Sequence, residues 1–374
     1  MISKTFVSSE SPGAPRAGAG GMPCQGVYYT PEGVKPRVAV ITTHYQIDFS
    51  EHYLAEYLAE RGIGFLGWNT RYRGYESDFV LDRAVVDIGV GVRWLKEEAE
   101  VEHVILLGNS GGGSLMGAYH AQAVEPSLRP GIGREPAAGL DDLIPGDAYV
   151  SLAAHLGRPE VITGWLDASV TDEHDPTLTD PELDLFNPEN GPPFSAEFLE
   201  RYRTAQVARN HRITAWAKAE LARIEALGFQ DRPFTVQRAW ADPRMVDSTV
   251  DPSDRPDNWC YRGVPAVANR SGRGLGSETT LRNWLDMWSL SESQCRAEEH
   301  LGKMKIPAIV INPHGDAGVY PSDADALYDA IASDDKKRLD LPGDHYFQEP
   351  EGARARVADV ITEWINEHFP QSRA

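Results

Sequence analysis

Cysteine is scarce in this 374-residue chain: Cys24, Cys260 and Cys295 lie far apart and form no C-x-x-C pair. So odd and sparse a set argues against a disulfide framework and fits a reducing compartment, with inert thiols. Positive charge is short as well. Thirty-six Lys and Arg face 56 Asp and Glu, a formal net charge of −20. Such a field repels phosphate backbones and anionic lipid, which disfavours nucleic-acid and membrane-surface partners. Long apolar runs are missing. The best, 104–107 and 306–311, are strand-sized and far too short to span a bilayer. The opening string MISKTFVSSESPGAP has no apolar stretch of the secretory kind, so a cytoplasmic location is expected. What remains, 41% hydrophobic and 25% charged residues, is the composition of an ordinary globular protein.

The first two dozen residues, rich in Gly, Pro, Ala and Ser, suggest a loose arm. Residues 37–43 (RVAVITT) read as a strand buried on both faces. The segment 50–61 places Tyr53, Leu54, Tyr57 and Leu58 on one helical stripe, with Ser50 as N-cap. Strands at 63–68, 104–107 and 148–153 alternate with helices at 82–98 and 111–123. After a long gap come a strand (306–312), a helix (322–331), a strand (337–341) and a helix (351–368). Alternation of this kind implies parallel strands joined by crossover helices, hence a doubly wound, mostly parallel α/β sheet. Its blocks are 25–155 and 301–374, and 156–300 is expected as a large, mainly helical cap.

The cap segment is compositionally distinct. Pro and acid residues in DEHDPTLTDPELDLFNPENGPPF deny regular structure, and a long helix follows at about 195–227. Six of the nine tryptophans fall here: Trp165, Trp216, Trp240, Trp259, Trp284 and Trp288. Trp284 and Trp288 share a helix face with Leu281 and suggest lining for an apolar or aromatic substrate, although packing alone would explain them. Arg201, Arg203, Arg209 and Arg212 fall on several helix faces and suggest a solvated surface.

The most informative string is Gly108-Asn109-Ser110-Gly111-Gly112, a G-x-S-x-G between a buried strand and a helix of small residues. A strand that turns into a helix this tightly strains its central residue and lifts the serine hydroxyl above the sheet's carboxyl edge. Free N–H groups of the helix start lie beside it. The P-loop Lys-Ser/Thr is missing, so a phosphate loop is a poorer reading.

With that motif the sequence resembles the α/β-hydrolase superfamily over about residues 35–155 and 300–370, in particular capped serine esterases and lipases. The resemblance implies an acid after a later strand and a histidine after the last. Pro313-His314-Gly315-Asp316 and Pro342-Gly343-Asp344-His345 fill those places. Ser110 is then the nucleophile, His345 the base and Asp316 the orienting acid, with Asp344 as rival acid. The oxyanion hole would take the N–H of Gly111 and a second from Tyr45 or Gln46, in a loop that lacks the family's His-Gly. His44 is read as structural. His155, after the fourth strand, would lie near the pocket mouth and could touch substrate.

No cofactor is implied, and His314 with Asp316 is too small a set for a metal. The expected reaction is hydrolysis of a carboxylic ester or lactone of an apolar or aromatic small molecule through an acyl-enzyme. Acyl transfer, C–C bond hydrolysis and a non-catalytic receptor are the alternatives. A small molecule is the expected partner, with a homo-oligomer open.

Overall fold

The computed structural model describes residues 1–14 and 21–370. Eight strands form one sheet: β1 (Ile2–Ser9), β2 (Cys24–Pro31), β3 (Val38–Thr42), β4 (Gly64–Asn69), β5 (His103–Asn109), β6 (Ala148–Leu152), β9 (Ala308–Pro313) and β10 (Lys336–Leu341). Their order is β1-β2-β4-β3-β5-β6-β9-β10, antiparallel at β1/β2 and β2/β4 and parallel elsewhere. The remaining pair, β7 (Pro233–Thr235) and β8 (Glu278–Thr280), forms a separate ribbon within the insertion. Every residue of β3, β4 and β6 is buried, as a sheet covered on both faces requires. Val38, Val40, Ile105, Leu107, Ile309 and Ile311 point to one face and pack on helices α1 (Ala55–Glu60) and Ala353–His368. Ala39, Ile41, Leu106 and Val310 point to the other, beneath α2 (Leu81–Glu97) and α3 (Gly112–Val124).

Three expectations need correction. The amino-terminal arm is not loose over 2–9, which pairs along its whole length with β2; residues 15–20 of that stretch lie outside the described residues, as do 371–374. The first helix starts at Ala55 with Leu54 as its cap, not at Ser50. The preceding turns are instead held to the sheet by the Phe49 N–H on Asn69 Oδ1 (2.9 Å) and by His52 Nε2 against Asn109 Oδ1 (3.0 Å). Arg209 is not solvated: it is buried, and its guanidinium is bonded to Glu173 and to the carbonyls of Asp167, Gln237 and Arg238.

No sheet strand comes from 156–300. That segment supplies α4 (Arg158–Trp165), α5 (Ala196–Glu225) and a turn of π-helix at Trp284–Trp288. Ser195 caps α5 by accepting from the Phe198 N–H at 3.1 Å. The insertion has two small clusters of its own, around Phe198 with Tyr202 and around Trp165 with Trp240, but much of its apolar surface joins the core of the sheet block. Ile213, Leu221, Trp284 and Trp288 belong to the same apolar cluster as Phe79, Leu115, Met116 and Tyr119 of the sheet block. Among the described residues no helix is long and apolar enough to cross a membrane.

Candidate active site

Strand β5 turns into α3 at Ser110, which has φ 54°. A non-glycine residue in that region signals stored strain. The turn is over-determined. The Ser110 N–H donates to Leu152 O at 3.1 Å, and its carbonyl accepts from the Gly113 N–H at 3.1 Å. Asn109 bonds Leu152 O through Nδ2. The flanking glycines are sterically required. A Cβ on Gly108 would lie 2.5 Å from Gly113 Cα, and one on Gly112 would lie 2.5 Å from Thr43 O. The second contact seats the loop after β3 directly against the elbow.

His345 and Asp316 are together. Nδ1 of His345 lies 2.6 Å from Asp316 Oδ2, and both side chains are buried. The Gly318 and Val319 N–H groups donate to Asp316 Oδ1 at 2.9 and 3.1 Å and fix the carboxylate. Asp344 is engaged elsewhere, accepting from the Gln348 N–H. His345 bonds only through Nδ1, so among the described residues no hydrogen bond joins it to Ser110 Oγ.

Tyr45 is buried, its hydroxyl 3.0 Å from Ser114 Oγ, and Gln46 Nε2 donates to Glu76 Oε2 at 3.0 Å. Both side chains are thus tied down beside the elbow. His44 Nδ1 accepts from the Ile47 N–H, so the neutral ring carries its proton on Nε2, the atom facing Gly111. Burial, then the nearby Arg158, His155 and His345, push its pKa well down. His155 behaves alike: Nδ1 accepts from the Gly157 N–H, and desolvation, Arg158 and His345 lower its pKa to about 3. Both rings are neutral donors.

No protein-family profile and no curated protein matches the chain. Solved structures do. The α/β hydrolase GrgF from Penicillium sp. sh18 aligns over 98% of this chain and 99% of its own, with a TM-score of 0.55 at 13% identity. DcsB, solved in complex with its substrate analogue, aligns over 98% and 99% with a TM-score of 0.51 at 14% identity. The chain has the α/β-hydrolase fold.

In an α/β-hydrolase fold the working residues sit at the carboxyl ends of the strands, and Ser110, Asp316 and His345 follow β5, β9 and β10 in that way. His155 lines a cavity of about 630 Å³ with Leu156, Val161 and Gly318, the last two residues from Asp316. Trp284 lies within the apolar cluster, its ring N–H donating to Thr214 Oγ1 at 3.0 Å. Trp288 is buried too, with its ring beside the Arg158 guanidinium. A second cavity, of about 420 Å³ between Trp216 and Phe234, contains none of these groups. Among the described residues no cluster of three or more His, Cys, Asp or Glu is placed to hold a metal ion.

Two residues were invisible to sequence reasoning. Tyr261, on a loop of the insertion, donates to Asp316 Oδ1 at 2.6 Å and lies 2.9 Å from His345 Nδ1. Arg158, at the start of α4, forms a buried pair with Glu76 at 2.7 Å beside the elbow. Neither stands in a motif. The one available signal was the position of Arg158, three residues past His155.

Proposed function

We propose that the protein is a serine hydrolase that cleaves a carboxylic ester through an acyl-enzyme. The observation that carries the reading is a strained serine at the strand-to-helix turn after β5, accompanied by a buried His345–Asp316 pair from the loops after β9 and β10. Serine is a weak nucleophile and needs a base to accept its proton during attack. His345 takes that proton from Ser110 and returns it to the leaving alkoxide. Asp316 keeps the imidazole proton on Nδ1 and stabilises the imidazolium. The Gly111 N–H, with one N–H from Tyr45 or Gln46, holds the developing oxyanion. Water activated by His345 then releases the acid and regenerates Ser110.

Incubation with a fluorophosphonate probe tests this directly. The native protein should label rapidly and hydrolyse aryl esters. Ser110→Ala should lose the label and about three or more orders of magnitude of turnover while remaining folded. A native protein that does not label is a binding protein on this fold, not a hydrolase.

A further inference from the structure

The strongest unexplained feature is Arg158. Its side chain is 3% exposed, yet it makes a single side-chain hydrogen bond, from Nη2 to Glu76 Oε1 at 2.7 Å. Its Nε is fully buried with no acceptor among the described residues. Nε of the less buried Arg37, Arg238 and Arg338 also lacks an acceptor, but among the described residues the other fully enclosed arginines are satisfied. Arg71 donates to both oxygens of Asp87 and to Pro12 O, and Arg209 uses Nε, Nη1 and Nη2. A guanidinium carries five N–H donors in a fixed fork, matched in shape to a carboxylate. Arg158 keeps most of that fork unspent.

Its place is specific. The ring faces of Tyr45 and Trp288 clamp the guanidinium, at 4.4 and 5.3 Å to the ring centroids. Its Cζ would lie 3.3 Å from a Cβ on Gly111, the residue after Ser110, and His44 Nε2 would lie 2.9 Å from the same point. His44 presents its Nε2–H here. A positive charge and a neutral donor thus meet on the Gly111 side of Ser110. If the hydrolase reading holds, on which this inference rests, the leaving oxygen must face His345, so a group held beside Gly111 belongs to the acyl part.

We propose that Arg158 is a specificity-determining residue that binds a free carboxylate on the acyl part of the substrate, making the preferred ester a half-ester of a dicarboxylic acid. Glu76 holds the guanidinium in place and leaves the outer N–H groups for the ligand. The clamp by Tyr45 and Trp288 fixes its plane, so a small rigid diacid fits better than a long flexible chain.

The test compares kcat/KM for methyl hydrogen fumarate and methyl crotonate, and for monomethyl terephthalate and methyl 4-methylbenzoate. Within each pair a methyl group replaces the carboxylate. The native enzyme should prefer the acid of at least one pair by roughly a hundredfold. Arg158→Met should abolish the preference, and Arg158→Lys should retain part of it. Because Arg158→Met leaves Glu76 buried and unpaired, the double variant Arg158→Met/Glu76→Gln provides a second, charge-free background. In each case fluorophosphonate labelling of Ser110 reports an intact elbow. A labelled native enzyme without preference, or a preference that survives in the double variant, overturns the proposal. Equal loss on both esters of a pair also overturns it, since Arg158 would then act on the common oxyanion. Failure of the native enzyme to label removes the hydrolase reading and this inference together.

Discussion

Tyr261 brings a hydroxyl from the insertion to the Asp316 carboxylate, at 2.6 Å, while its oxygen also lies 2.9 Å from His345 Nδ1. The shorter contact dominates. The hydroxyl thus helps to fix the carboxylate that orients the ring. Tyr261→Phe removes that donor, so kcat should fall by roughly tenfold or less while KM and the urea midpoint stay nearly unchanged. An unchanged kcat would remove Tyr261 from the positioning of the pair. At this scale the tight turn at Ser110 and the pairing of Asp316 with His345 were legible, because each stands in a short local string that follows a strand. Tyr261 and Arg158 were not, because what matters about them is what faces them across long loops. Nothing in the sequence near Tyr261 points to residue 316.

Elements formed by periodic sequence emerged close to expectation, and those shaped by their neighbours did not. Strands β3 to β6 are apolar through most of their length, with polar residues chiefly at their ends, and α2 shows its stripe plainly. The edge strand β1 is exposed over most of its length and needs no apolar period, so it was mistaken for an arm. The segment 281–288, expected as one amphipathic helix, becomes a π-turn whose Asp286 accepts from the Ile132 N–H at 3.0 and 3.3 Å. Burial pushes the Asp286 pKa up to about 6, against the Ile132 N–H, Arg134 and Arg282, with Asp82 adding to the rise. A carboxyl raised in the folded state contributes its full stability below the unfolded pKa near 4. That contribution is lost as pH climbs through about 6. Asp286→Asn keeps an acceptor for Ile132 without the buried charge. Its stability relative to the native protein should rise between pH 4.5 and pH 7.5 by up to about 2 kcal/mol, read from urea midpoints. A constant difference across that range would show that Asp286 is solvated when ionised.

Taken whole, the molecule binds its insertion to the sheet through contacts of every kind. Apolar residues of α5 and the π-turn share one cluster with Phe79, Leu115 and Met116. Glu76 of the sheet block pairs with Arg158, and its carbonyl accepts from Asn283 Nδ2 at 2.9 Å. Tyr261 reaches Asp316. Within the insertion, shape is set by ion pairs such as Asp242 with Arg203 and Arg244, and by Asp side chains that accept from N–H groups two residues on, at 167, 172, 175, 180, 184 and 247. Such devices have no period, so the segment read as patternless although it is ordered. A cap built as a separate domain would unfold separately. One that shares the core cannot leave without exposing the helices above the sheet, and removing the partner of a buried charge adds to that cost. Six of the nine tryptophans report on the insertion, whereas far-UV circular dichroism reports on the whole chain. Urea denaturation followed by both signals should therefore give one transition with coincident midpoints. A tryptophan midpoint well below the circular-dichroism midpoint would mean that the insertion melts alone. Arg158 and Tyr261 would then be presented to the elbow by a lid that opens independently of the sheet.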